Sequence, residues 1–259
     1  SLVPLALILF FLGLSRLALF TWQFERIYES GEIAFIFLQG IRFDLVLISM
    51  VMILPASLTP LFATHTSIFR YWRRFMLFYM TGWFIFIAFM ELATPSFINQ
   101  FDSRPNYLFV EYLEHYREVS SMLLTEYPLQ LLFAAIALPL VSWVFYRMSS
   151  RLTQLNKAIR VIPALVMVPV LFVSFAFAAR STLDHRPVNP STVALTTDHL
   201  VNELPLSSAY TVLFAIYRSS EDEKGGVPYG EMPFERVINI VRNEMNVDPS
   251  AFTDPDIPT

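Results

Sequence analysis

Cysteine is missing from the 259-residue chain, so no disulfide framework, thiolate zinc cluster or thiol nucleophile can be built from it. Charge is also scarce. Asp, Glu, Lys and Arg make up 15% of the residues, well below the roughly 25% of ordinary soluble domains. The net charge of −4 gives no basic excess for binding nucleic acid, and no nucleic-acid partner is expected. Walker loops, dinucleotide fingerprints, HExxH and nucleophile-elbow motifs do not occur. The histidines His65, His115, His185 and His199 are scattered. His185 adjoins Asp184, but no second ligand pair sits at a useful spacing, so a hydrogen-bonding role in a loop is the expectation there. No catalytic residue, metal ligand or cofactor is assigned within the chain.

What the chain has in excess is apolar surface. Hydrophobic residues reach 55%, with 25 Phe, and the mean hydropathy is +0.51. About 20 apolar residues cross about 30 Å of hydrocarbon as a helix. Five segments meet that length: 2–21, 41–62, 75–93, 129–146 and 161–179. Pro55, Pro139, Pro163 and Pro169 fall inside them, which membrane helices tolerate. Trp22, Trp72, Trp83 and Trp143 lie mostly near their ends, as an aromatic belt requires. The chain opens at Ser1 directly into apolar sequence with no small-x-small cleavage site after it, so the first segment is expected to stay as a helix, downstream of a trimmed natural start. The fold class is therefore an all-α membrane protein: five transmembrane helices over 1–180, then amphipathic juxtamembrane helices and a linker over 181–259.

Loop charge sets the expected orientation. Arg70, Arg73 and Arg74 follow the second span, and Arg147, Arg151, Lys157 and Arg160 follow the fourth, with no acid among them. The first and third loops are acid-rich, with Glu25, Glu29 and Glu32, then Asp102, Glu111, Glu114, Glu118 and Glu126. The N-terminus is thus placed in the cytoplasm and the tail outside.

Two extramembrane regions carry helical periodicity. Over 107–124, Phe109, Tyr112, Leu113, Tyr116, Val119 and Leu123 line one face and acids take the other, which predicts one interfacial helix. Its acidic polar face favours contact with protein over lipid. In the tail, Leu206, Ala209, Tyr210, Leu213, Ile216 and Tyr217 form a stripe behind Pro205. A linker is expected over 219–233, around Gly225-Gly226. A second stripe comes next, of Phe234, Val237, Ile238, Val241 and Met245. These pieces are too small to bury a core of their own and must pack on the spans or on another domain.

Ionisable residues inside spans are costly and therefore informative. Arg16, Arg42, Asp44 and Glu91 all fall at the same, outer, end of their spans. Arg104, Asn106, Arg186 and Asn189 return to that side from the third loop and the tail. Two readings stand. One is a paired network that fixes helix packing. The other is a lipid-headgroup site, in which Arg binds phosphate and a carboxylate accepts from a hydroxyl. No charges continue toward the other leaflet, which argues against transport.

Three stretches carry a resemblance. They are Gly40-Ile41-Arg42-Phe43-Asp44-Leu45; Phe101-Asp102-Ser103-Arg104-Pro105-Asn106-Tyr107, continuing to Tyr127-Pro128; and His185-Arg186-Pro187-Val188-Asn189-Pro190, continuing through Asn202-Glu203-Leu204, Ala209-Tyr210 and Pro228-Tyr229-Gly230. In this order they resemble the membrane portion of the lipoteichoic acid synthase-like family in its Gram-negative form. The resemblance implies five spans joined to an extracytoplasmic domain of the sulfatase/alkaline phosphatase type. It further implies phosphoglycerol transfer from phosphatidylglycerol through a phospho-threonine, with a divalent metal, Mn or Mg, in that domain. The chain stops at Thr259, where that domain's first strand is expected, so neither nucleophile nor metal ligands can be placed. The implied partners are phosphatidylglycerol and the chain's own catalytic domain. A catalytically inactive lipid-binding regulator and the membrane domain of a phosphoethanolamine transferase are the alternatives.

Overall fold

The computed structural model describes residues 3–152, 158–225 and 232–245. Among these residues the secondary structure is helical, with no strand. Five helices are long and apolar enough to cross a bilayer: α1 (Val3–Trp22), α3 (Ile33–Phe62), α4 (Thr66–Phe101), α7 (Pro128–Leu152) and α8 (Val161–Arg180). Between them lie α2 (Phe24–Ser30), α5 (Tyr107–Glu114) and α6 (Tyr116–Glu126). After α8 come a single 3-10 turn (Pro190–Val193), α9 (His199–Glu203), α10 (Ser208–Gly225) and α11 (Phe234–Met245). The protein is an all-α membrane protein with five spans.

Two spans run past the apolar segments that mark them in sequence. The 30 residues of α3 and the 36 of α4 make rods of about 45 and 54 Å at 1.5 Å per residue, longer than a hydrocarbon core of about 30 Å. Hydropathy reports the part immersed in lipid. The extra turns, which carry Arg70, Arg73 and Arg74 at one end of α4 and Gln100 at the other, continue the helix beyond it. The helix expected over 107–124 is broken at His115, whose backbone leaves the helical region (φ −102°, ψ 40°). On the α5 side of the break, Phe109 and Val110 pack against the core, with Phe109 against Phe89 and Tyr112 against Phe101. On the other side, α6 buries no residue. Asp102 and Ser181 end α4 and α8 in the left-handed region (φ 50° and 53°), each donating its N–H back into the last turn.

The spans pack with α8 along α3, α7 along α4, and α1 against α3, α4 and α7. Their core centres on Leu12, Phe43, Leu47, Phe84, Ile87 and Met90, with Phe84 stacked on Phe145 at 4.2 Å. A second cluster joins Leu19, Ile27, Ile36 and Ile98 to Leu200, Val201 and Leu204 of the tail. The span α8 buries Ala164, half-buries residues such as Leu171 and Phe175, and leaves most of the rest exposed, as a lipid-facing helix can without hydrophobic penalty. Pro55 removes the N–H that would bond the carbonyl of Val51, and the Tyr79 hydroxyl on α4 donates to that carbonyl instead, at 2.8 Å.

The first compact unit runs through Tyr217, so α9 and the first half of α10 belong with the spans, beyond the boundary at 180 drawn from hydropathy. The second unit, from Arg218, holds the end of α10 and α11. Helix α10 continues to Gly225, into the segment expected to be linker. The Pro228-Tyr229-Gly230 turn, the terminal 254–259 stretch and Lys157 lie outside the described residues.

Candidate functional site

Polar residues of the spans meet the tail at one end of the bundle, and the site is built from two buried ion pairs. Arg16 on α1 forks onto Asp44 on α3, Nη2 to Oδ1 at 2.9 Å and Nη1 to Oδ2 at 3.0 Å. Their side chains are 2% and 1% exposed, so neither charge is met by solvent. The same guanidinium donates to the carbonyls of Leu204 and Pro205, at 3.3 and 3.1 Å. These carbonyls come just after the short helix α9, so Arg16 fastens the tail to the spans. Gly40 makes this possible. It lies one turn before Asp44 on α3, and a Cβ there would overlap the Arg16 guanidinium.

The second pair is Glu91 on α4 with Arg104 in the loop after it, at 3.3 Å and similarly buried. Glu91 also accepts from Ser15 on α1 and from the backbone N–H of Ser208, at 2.5 and 2.9 Å. Ser208 is the first residue of α10, so a carboxylate sits at that helix's N-terminus, where the helix dipole favours negative charge. The Ser208 hydroxyl accepts from Arg104 at 3.0 Å and lies 2.6 Å from Thr94 Oγ1. Thr94 already donates to Met90, so Ser208 is the donor between the two hydroxyls. The backbone N–H of Arg104 donates to Glu203, and Thr211 donates to the carbonyl of Pro105 at 2.6 Å. Burial pushes the Glu203 carboxyl above its ordinary range, against the pull of the Arg104 N–H and of His199. It also pushes the Tyr210 hydroxyl up to about 12, where this ring packs edge-on against Phe43. A partly exposed cluster lies beside α9: Arg26 of α2 forks onto both Asp102 and Asp198 at 2.6–3.0 Å.

The candidate residues therefore divide. Asp44, Glu91 and Arg104 belong to the buried brace. Arg42 is half-buried and donates to the hydroxyl and carbonyl of Ser181 and to Gln39. Asn106 caps α5 by accepting from Leu108 N–H, and Asn189 caps the 3-10 turn by accepting from Ser191 N–H. Arg186 is exposed, in a loop closed by Val188 N–H donating to the Arg180 carbonyl. Arg104 points into the brace, while Arg42 holds the end of α8. Sequence reasoning did not pick Gly40, Ser15, Glu203 or Ser208 as site residues. For Gly40 a signal was there, because glycine one turn before a membrane-embedded Asp leaves room above the carboxylate for a partner.

Chemically, the brace satisfies charge with charge and offers rigidity. Among the described residues no three His, Asp or Glu side chains converge as a metal site would require. No family model matches this chain, and no solved structure matches it.

Proposed function

We propose that this chain is the membrane anchor and lipid-presenting module of an extracytoplasmic, sulfatase-like phosphoglycerol transferase that uses phosphatidylglycerol as donor. In this reading it sits in a bacterial inner membrane, with the N-terminus cytoplasmic and the tail periplasmic. One observation carries the proposal: Arg16 and Glu91, both inside spans, bind backbone groups of the tail on either side of Leu206. An anchor that merely tethered a domain would not need to commit buried charge to its exit segment. Fixing that segment against three spans sets the place at which the tail leaves the bundle. The motif order in the sequence supplies the enzyme class. The presenting role falls to Arg42 and Arg186, whose guanidiniums, unlike that of Arg104, are not enclosed in the brace.

Binding of phosphatidylglycerol by the purified chain tests the presenting role. Arg42→Ala and Arg186→Ala are each expected to weaken it by about 1.5–3 kcal/mol, the range for a hydrogen bond to a charged group. Arg→Lys should recover part, since an ammonium cannot reproduce the fork. Arg104→Ala should lower thermal stability instead. Unchanged affinity in both of the first two variants removes the presenting role. The chain by itself is expected to release no diacylglycerol from phosphatidylglycerol; release by the purified chain would place the active site inside it.

A further inference from the structure

At the end of the bundle away from the brace, a partly open cavity of about 550 Å³ lies among α1, α3, α4 and α8. Its size falls within the roughly 300–1,000 Å³ of small-molecule sites. Met52, Ala56, Met76, Met80, Met167 and Phe175 supply much of its wall. Polar side chains in the wall are few: Thr59, Trp72 and Arg73. Thr59 donates to the Pro55 carbonyl and accepts from Trp72 Nε1, and Arg73 donates to the Ser150 carbonyl. Water needs two to four polar partners to be held in such a space, and a wall made mostly of apolar side chains favours hydrocarbon over it. In a membrane protein the apolar matter at hand is hydrocarbon, and flexible methionines suit an occupant of irregular shape.

The rim adds a second, independent feature. Arg73 lines the cavity, with Arg70 and Arg74 within one turn of it on α4, and Arg160 comes directly after the lining residue Ile159. Arg70, Arg74 and Arg160 are exposed. The sequence has no Asp or Glu between Asp44 and Glu91, nor between Glu126 and Asp184, so no carboxylate from either flanking stretch offsets these arginines. An apolar slot bordered by the exposed Arg70, Arg74 and Arg160 complements a molecule with a hydrocarbon tail and an anionic head.

We propose that this cavity seats an acyl chain of an anionic phospholipid whose phosphate is held by Arg70, Arg74 and Arg160 at the rim. The site is separate from the brace and from the presenting role of Arg42 and Arg186, so either proposal can fail alone.

The test uses the full chain in lipid nanodiscs, with phosphatidylglycerol carrying a photoactivatable group near the end of one acyl chain. Crosslinks are expected on α3, α4 and α8 around Met52, Met76 and Met80, and unlabelled phosphatidylglycerol should compete them away. Ala56→Phe, which projects a ring into the cavity, should cut this labelling several-fold. Leu58→Phe, at an exposed position of the same helix, should not. Replacing Arg70, Arg74 and Arg160 by Gln should lower labelling by phosphatidylglycerol about tenfold or more, the worth of a charge-assisted contact, and leave labelling by a diacylglycerol probe unchanged. Labelling spread over the outward faces of α7 and α8, indifferent to competitor, overturns the site. Equal labelling by phosphatidylglycerol, phosphatidylethanolamine and diacylglycerol overturns the assignment of the rim. Should Ala56→Phe fail to fold, competition and headgroup preference in the unmodified chain decide alone.

Discussion

Arg16 is the residue on which the polar end of the bundle turns. It is paired with Asp44 and holds the backbone just after α9. Breaking a buried pair by removing one partner typically costs about 3–5 kcal/mol, because the other charge is left uncompensated. Arg16→Ala should therefore lower the unfolding free energy by about that amount, measured by denaturant unfolding in detergent. Gly40→Ala makes a sharper test, because the atoms nearest the added methyl group are all in the Arg16 guanidinium, within 2.7 Å. It should be clearly destabilising in the natural chain and close to neutral once Arg16 is Ala. Equal penalties in both backgrounds would show that Gly40 serves the backbone and not its neighbour. The sequence exposed these charges as misfits in apolar spans, which is why Arg16, Asp44 and Glu91 were legible as a set. Their partners were not. Nothing in spacing says that the Ser208 N–H or the Leu204 carbonyl, from a tail more than a hundred residues away, would be drawn in between them.

Among the elements, each long helix was visible as an apolar run, and its ends were not, since the helix outlasts the hydrocarbon it crosses. The break at His115 was also hidden, because the apolar stripe continues through it in sequence. Proline placement was legible as a tolerated defect, but the repair was not: Pro55 orphans the Val51 carbonyl, and Tyr79 on a different helix satisfies it. Tyr79→Phe should cost about 1–3 kcal/mol, the penalty for a buried acceptor left unmade, with little loss of packing. Pro55→Ala should remove most of that penalty by restoring the N–H, and a double-mutant cycle on thermal stability reads it. A second joint between elements responds to pH. Hydrogen bonds from Arg26 hold the Asp102 carboxyl below its usual range. Partial burial works against the Asp198 charge, yet Arg26 and the Val201 N–H hold it low as well. Both carboxyls thus have folded pKa values below the unfolded value of about 3.9. Their contribution is complete above that value and disappears as pH falls below it, through the lower folded values. Thermal stability of the natural chain should drop in that acid window more steeply than that of Arg26→Gln. Parallel profiles would remove the joint from the acid response. Because Arg26 and Asp102 are partly open to solvent, the effect should shrink in high salt.

Taken whole, the molecule has two unlike ends. One end of the spans gathers paired charge around the start of the tail, and the other carries Arg70, Arg73 and Arg74 in a stretch of sequence that has no Asp or Glu. Basic residues accumulate on the cytoplasmic side of membrane proteins. The cavity and its arginine rim are therefore expected to face the cytoplasm, and the brace and tail the opposite side. Lacking cysteine, the chain is its own blank background for site-directed thiol labelling. The positions need care. Ser149 sits in the expected cytoplasmic loop but is fully buried, so a thiol there would be shielded whichever way the protein faced. Ser67, exposed at the start of α4, and Leu183, 89% exposed after α8, report without that ambiguity. With an impermeant maleimide on intact cells, Leu183→Cys should be modified and Ser67→Cys should not. After the membrane is permeabilised both should react, which shows that Ser67→Cys was protected by the bilayer and not by folding. The reverse pattern in intact cells would invert the molecule. It would place the arginine rim outside and the brace in the cytoplasm, and no extracytoplasmic enzyme could then be carried on this tail.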